Sequence, residues 1–407
     1  MKHLINKYLG KLESQRFARG NEALFLALDA DLYESGPFSG ELASLGDLFG
    51  LMNINSVLYA VPAEPYRSIL VALTSDTWSK VSESSRDSGH TIVPMDTETR
   101  TFFHDIPVVG SLSPDEIAGA LGRRKSAVVK GRGVVTYGVV TPEQAFVSFC
   151  STCFSTFVKF FYDCLVYFER CARANVTPDP GILSTFEQVC LHEPSVMPDT
   201  GPVGLTEGPP RNDGTVLGMI AEAGRAVVDH RLVDSYFGNI SCVFRDSIFV
   251  SETGSSLDEL EGCIDAVPLD GSSSVGITAS SELSAHRRVY EQTGHRAILH
   301  GHPKFAVILS MHCTREECDR TKCHTSCREK RYVAGIPIVS GEIGTGPTGL
   351  MHTIPAAMKE GKGAIVYGHG VFTSGAEDFR EPFRLLLRSE IACRDEYFRL
   401  VRSYVGG

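Results

Sequence analysis

The sequence predicts an α/β protein of two tandem layered domains, each a central sheet flanked by helices. Three observations carry that expectation. The chain has 407 residues, beyond the length at which a single hydrophobic core usually stops growing. The stretch HEPSVMPDTGPVGLTEGPPRNDG at 192–214 is rich in Pro and Gly and poor in periodic apolar residues, the composition of a linker. On either side of it one pattern recurs, KSAVVKGRGVVTYG at 125–138 and KGAIVYGHGVFTSG at 362–375. The expected boundaries are therefore a first domain at 1–199, a linker at 200–212 and a second domain at 213–407.

The repeat extends upstream, with DIPVVG at 105–110 against GIPIVSG at 335–341, and RSILVAL at 67–73 against RAILHGH at 296–302. Each copy reads as strand, loop, strand, Gly-turn, strand and then a helix, with apolar strands carrying polar groups at their ends. Aligned this way, His300, His302 and His369 of the second copy face Val71, Leu73 and Arg132 of the first. Joint loss of three histidines is expected if they serve one function that the first copy abandoned. The first copy is thus expected to lack metal ligands.

FVSFCSTCFSTFVKFFYDCLVYF at 146–168 is long enough to suggest a membrane span, but Lys159 and Asp163 interrupt it, so a core helix is expected. Cys150, Cys153, Cys164 and Cys171 recur near whole helical turns and are expected to share its buried face. The start, MKHLINKYLGKLESQRFARG, has neither an uninterrupted apolar run nor a small-residue cleavage site, so a cytoplasmic protein is expected. A hydrophobic content of 43% describes a globular chain, and a net charge of −10 disfavours nucleic-acid and anionic-membrane surfaces. A local basic pocket for an anionic small molecule is compatible with that balance.

The chemistry concentrates in ILHGHPKFAVILSMHC at 298–313. His-x-His on a strand points both imidazoles to one face. With a third from a neighbouring strand they leave one tetrahedral position open, the arrangement of a catalytic zinc. His369, in YGHGVF, is the natural third. The alternative is a pair of edge-strand histidines bonded to neighbours. Upstream, Glu282 opens a helix that leads into this strand, where its carboxylate could ligate the metal, act as its base, or simply face the helix dipole.

These residues resemble the class II aldolase and adducin-head family, which includes fuculose-phosphate aldolase and ribulose-phosphate 4-epimerase, over about 213–400. FGNIS at 237–241 looks like the family's Gly-Asn phosphate turn, SETG at 251–254 like its Thr-Gly loop and ASSEL at 279–283 like its Ser-Ser-Glu. HGH at 300–302 and GHG at 368–370 are similar to its zinc ligands. The resemblance implies a class II aldolase-like fold in tandem and Zn²⁺, or another divalent metal, on His300, His302 and His369. It also implies Glu282 as acid/base, and an anion site of Gly238, Asn239, Thr253, Gly254, Ser280 and Ser281. Turn chemistry alone would also account for the last group.

Three functions compete. The first is a lyase acting by an aldol mechanism on a small phosphorylated or carboxylated hydroxy-keto compound. The second uses the same site for epimerisation, dehydration or decarboxylation. The third is a non-catalytic interaction module like the adducin head, against which the intact ligand set argues. The family's rings of subunits imply a homo-oligomer, a dimer of two-domain chains or higher, in which Arg123, Arg124 and Arg132 suit an anionic substrate. The resemblance also implies a further acid, often a tyrosine, and spacing does not choose among Tyr290, Tyr332, Tyr367, Tyr397 and Tyr404, so none is assigned.

MHCTREECDRTKCHTSCREKRY departs from the family pattern. Cys313, Cys318, Cys323 and Cys327 lie within fifteen residues, at spacings that match neither zinc knuckles nor ferredoxin runs. A second metal site, zinc or iron–sulfur, stands there against a free-thiol loop or redox disulfides. GTGPTG at 344–349 spells a dinucleotide fingerprint, but Pro347 interrupts it, no βαβ unit with an acidic residue about 20 positions later is evident and the equivalent region of the first repeat lacks the glycines, so a nucleotide fold is not expected.

Overall fold

The structure, a computed structural model, describes residues 1–37, 39–82, 91–193, 204–234, 236–315, 317–318, 320–327 and 329–406. Spatial proximity divides the chain into a first unit within 1–194, with the residues from Val401, and a second within 195–400. Of the expected linker, 200–203 lie outside the described residues, and 204–212 form neither helix nor strand.

The first unit contains strands β1 (Ala18–Asp29), β2 (Asp31–Ser35), β3 (Ser56–Pro62), β4 (Thr91–Ile92), β5 (Ile106–Val109), β6 (Ser126–Val129) and β7 (Gly133–Gly138). They form one sheet in the order β2-β1-β3-β7-β6-β5-β4. Its helices are α1 (Lys2–Ser14), α2 (Leu48–Leu51), α3 (Tyr66–Leu73), α4 (Thr97–Phe103), α5 (Pro114–Leu121), α6 (Pro142–Ala174) and α7 (Pro180–His192).

The apolar stretch at 146–168 lies inside α6. Pro142 sits in its first turn, Thr141 and Gln144 close a capping box, and left-handed Asn175 ends it. By length and composition α6 could cross a membrane, yet 89% of its most apolar window is buried within the protein, as in a core helix. Cys150, Cys153, Cys164 and Cys171 are all buried free thiols. The interrupting charges neutralise each other: Lys159 Nζ lies 3.0 Å from Asp163 Oδ2, which also accepts from Trp78 Nε1 at 3.2 Å.

The second unit contains β8 (Asn239–Phe244), β9 (Ser247–Ser251), β10 (Ile264–Pro268), β11 (Ala297–Gly301), β12 (Arg331–Val333), β13 (Ile336–Val339), β14 (Gly363–Val366) and β15 (Gly370–Gly375). Their order is β10-β9-β8-β11-β15-β14-β13-β12. Helices α8 (Asp213–Asp229), α9 (Leu283–Thr293), α10 (Lys304–Met311), α11 (Leu350–Glu360) and α12 (Arg380–Val405), the last with its residues from Val401 grouped with the first unit, belong to this part of the chain. The core on one face gathers Ile298, Phe372 and Val366 from the strands with Val289 of α9 and Ile354 of α11.

The two sheets share one strand order. Taking β1, β2, β3, β4, β5, β6 and β7 to β8, β9, β11, β12, β13, β14 and β15 reproduces the first order within the second, which adds β10 at one edge. Register agrees as well: Tyr59 lies opposite Leu24 and Val135, and His300 opposite Asn239 and Phe372. From Ser39 to Tyr59 and from Ser280 to His300 the chain runs the same length, aligning SGEL with SSEL and Glu41 with Glu282.

This register corrects one expectation. Val71 lies in α3 and Leu73 ends it, so neither occupies the place of a β11 histidine. Tyr59 takes the place of His300 and Val61 that of His302, while Arg132 keeps the expected place of His369. RSILVAL shares letters with RAILHGH, but an apolar run this short has no periodicity that separates helix from strand.

Candidate active site

β11 ends in the His-x-His pair, and His369 lies in the turn between β14 and β15, its amide bonded to Val366 O at 3.1 Å. His300 and His302, one strand period apart, present their rings on the same side. His300 Nε2 lies 3.0 Å from His302 Nε2 and 3.2 Å from His369 Nε2. Among the described residues these three are the one group of three or more such ligand atoms lying within 4.8 Å of one another.

Two backbone approaches make the cluster possible. A Cβ on Gly370 would stand 2.5 Å from Gly301 O and 2.7 Å from His300 Cε1, so only glycine lets β15 pass this close to the imidazoles. Gly238 has φ +81°, and a Cβ there would lie 2.2 Å from His300 O.

Glu282 occupies the N-cap position of α9 and is 3% exposed. Its Oε2 lies 3.4 Å from His300 Nε2, its Oε1 3.5 Å from His369 Nε2, and Asn239 Nδ2 donates to Oε2 at 2.5 Å. Burial raises its pKa above the usual carboxylate range, against the opposing pull of His369 and the Asn239 hydrogen bond. Burial likewise pushes His300 down to about 3 and His369 to about 4, and His302 falls well below its ordinary value. The imidazoles are thus held neutral, the form that binds metals.

His300 Nδ1 lies 3.1 Å from Val371 O. A carbonyl only accepts, so the proton resides on Nδ1 and Nε2 offers a lone pair to the cluster. A tetrahedral metal with nitrogens at about 2.0–2.1 Å places them roughly 3.4 Å apart, close to the spacings seen here. Glu282 Oε1 is buried without a hydrogen-bond partner among the described residues, a cost that a neighbouring cation would relieve. The donor set fits a zinc-type divalent ion.

The remaining sequence-predicted residues divide. Thr253 Oγ1 donates to Ala279 O at 3.0 Å, and Ser280 N donates to Ser251 O at 3.1 Å, so the Thr253–Gly254 loop and the Ser280–Ser281 turn lie side by side. Ser280 Oγ accepts from Glu282 N at 3.3 Å, whereas Ser281 is exposed. Asn239, expected on an anion, turns its amide to Glu282. Arg132 pairs with Glu41, and Arg124 with Asp105.

The four loop cysteines do not gather as the imidazoles do. Cys323 is buried, Cys313 half-buried, and Cys318 and Cys327 are exposed, all as free thiols. The loop is tied to the residues after β13: Ser340 Oγ donates to Cys323 O at 2.6 Å and Gly341 N to His324 O at 2.9 Å.

Sequence reasoning missed the residues that brace the site. Phe372 stacks on His300 with centroids 3.8 Å apart, and Phe237 stacks on His302 at 5.2 Å. Ser241 Oγ lies 2.6 Å from both His286 Nδ1 and Tyr290 Oη. The four-residue spacing of Glu282, His286 and Tyr290 on α9 was the available signal.

A search of curated proteins finds no match. Among solved structures, L-fuculose-1-phosphate aldolase from Thermus thermophilus is similar at 22% identity, covering 47% of this chain and 97% of that one, with a TM-score of 0.37. YgbL from Escherichia coli is similar at 16% identity, covering 47% and 98%, with a TM-score of 0.36. A sugar-phosphate aldolase from Thermotoga maritima follows at 14%, covering 46% and 95%, with a TM-score of 0.34. Residues 219–397, which hold Glu282 and all three histidines, match the family described as the Class II Aldolase and Adducin N-terminal domain.

Proposed function

We propose that the second unit is a divalent-metal-dependent lyase of the class II aldolase type. It would cleave or form a carbon–carbon bond in a small phosphorylated or carboxylated hydroxy-keto compound. The carrying observation is the convergence of three buried neutral imidazoles with one buried carboxylate. His300, His302 and His369 would hold the cation, with Glu282 beside it.

A divalent ion bound there supplies Lewis-acid polarisation of a carbonyl group. Glu282 handles the protons. In the cleavage direction the hydroxyl on the departing carbon must lose its proton, and the carbon left behind must gain one. A carboxylate whose pKa is raised by burial is a stronger base than a free one, suited to accepting the first proton and returning the second. Asn239 fixes Oε2, leaving Oε1, beside His369 Nε2, without a hydrogen-bond partner among the described residues. The Thr253–Gly254 loop and the Ser280–Ser281 turn offer amides and small hydroxyls to the substrate's anionic group.

The first unit reads as a copy of the same fold without metal ligands. Its strand order and the Tyr59, Val61 and Arg132 replacements support that reading.

The test is a panel of keto-sugar phosphates and aldehydes incubated with purified protein, after chelation and again after zinc is restored. Carbon–carbon cleavage that disappears with the metal and returns with it is expected. Glu282→Gln should lower turnover by roughly 10²-fold or more with metal retained. No cleavage by the zinc-loaded protein, or full turnover in the variant, would overturn the reading.

A further inference from the structure

Beneath the site lies a buried polar cluster that the fold itself does not require. Ser241 on β8 joins His286 and Tyr290 on α9 through one hydroxyl. All three residues are buried, and His286 Nε2 has no hydrogen-bond partner among the described residues. Such a cluster is destabilising relative to apolar packing of the same volume.

The first unit carries the apolar version. By strand register Leu26 takes the place of Ser241, and by the gapless run from Ser39 to Tyr59, Leu45 and Phe49 take those of His286 and Tyr290. Leu26 and Leu45 are fully buried in that unit's core, with Phe49 packed against them. The same strand order thus stands on Leu, Leu and Phe where no histidine cluster lies above. The polar version accompanies the site.

We infer that Ser241, His286 and Tyr290 are positioning residues that fix the register of α9 on β8 and so hold Glu282 over the three imidazoles; the inference rests on the proposed metal site. Asn239 and Ser241 stand two residues apart on β8 and so share a face. Glu282, His286 and Tyr290 stand four apart along α9 and likewise share a face. Two rungs result: Asn239 to Glu282, then Ser241 to His286 and Tyr290. Apolar contacts are non-directional and tolerate sliding, whereas hydrogen bonds lose strength steeply when misaligned. A shift of α9 would break both rungs together. His286 also meets Phe372 edge-on, centroids 5.8 Å apart, and Phe372 is the ring stacked on His300. The cluster thereby braces one ligand as well as the carboxylate.

The test uses the full chain loaded with cobalt(II), whose visible spectrum reports ligand geometry independently of activity. Ser241→Ala removes the hub hydroxyl without adding bulk, and Ser241→Thr keeps it. The alanine variant is expected to bind one cobalt with roughly 10-fold lower affinity and to shift the spectrum in the same direction as Glu282→Gln. The threonine variant should resemble the wild type. Tyr290→Phe, which keeps the ring, serves where the alanine variant does not fold, with the same expected shift. A wild-type protein that takes up no cobalt would remove the metal site and this inference with it. Cobalt uptake with unchanged spectrum and affinity in Ser241→Ala and Tyr290→Phe, beside a clear change in Glu282→Gln, would overturn the inference alone.

Discussion

Phe372 lies flat on the imidazole of His300, its plane within 11° and its centroid 3.8 Å away. With the Val371 carbonyl on Nδ1, the ring is held by both face and edge. Phe372→Leu should therefore loosen the ligand more than the fold. Stability is expected to fall by about 1–2 kcal/mol and zinc affinity by roughly 10-fold, the latter measured by competition with a chromogenic chelator. Unchanged affinity would show that the stack has no part in orienting His300.

His302→Ala removes one of the three proposed ligands. The variant is expected to fold, to retain no zinc at the site and to lack turnover. Zinc at 100 times its dissociation constant should stabilise the wild-type protein by about 2.7 kcal/mol, and this increment should vanish in the variant. Thermal melts with zinc and with chelator check it, and an equal zinc-dependent rise in both proteins would count against the assigned ligands.

Gly238 and Gly254 both have positive φ, at +81° and +76°, but their surroundings differ. A methyl on Gly238 would collide with the His300 carbonyl, whereas one on Gly254 meets open space. Gly254→Ala should cost about 1 kcal/mol, the left-handed penalty alone. Gly238→Ala should cost more, on the order of 2–4 kcal/mol, by displacing β11. Urea midpoints of the two variants provide the comparison, and equal costs would refute the contact.

Asp96 caps α4 from a fully buried position and accepts from Thr99 N at 2.8 Å. Burial pushes its pKa up to about 6, against the opposing Thr99 hydrogen bonds. Because the folded value exceeds the unfolded one of about 3.9, the folded state binds the proton more tightly. Its contribution to stability is full below about pH 4 and is lost as pH rises through 6, a change of about 3 kcal/mol. Asp96→Asn should flatten that part of the stability–pH curve and raise stability at pH 8. An unchanged slope between pH 4 and 6 would disprove it.

The site was legible where chemistry and periodicity coincide. His300 and His302 announce themselves by alternate spacing on an apolar strand, and Glu282 by its place at the head of a helix. The counterpart in the first half was misplaced because RSILVAL and RAILHGH share letters while one coils and the other extends. Pairing register, which decides the matter through Tyr59 and Val135, belongs to the sheet and is absent from any single segment. Glu41 escaped notice for a related reason. It lies in a short 3₁₀ turn from Gly40, where no helical pattern marks it. The resemblance of the Gly-Asn turn implies an anion at Asn239, whereas its hydrogen bond to Glu282 comes from the packing of α9 on β8, which no single segment shows.

Arg132 stands at the position of His369, and its guanidinium meets Glu41 as His369 meets Glu282. A guanidinium keeps its charge at every pH a folded protein experiences. The first half therefore carries a tethered, permanent cation where the second would borrow one from solution. Metal starvation and chelators, which would strip the second half of its cation, leave the arginine of the first in place. Any property of the intact chain that survives such treatment can therefore be assigned to residues outside the histidine cluster.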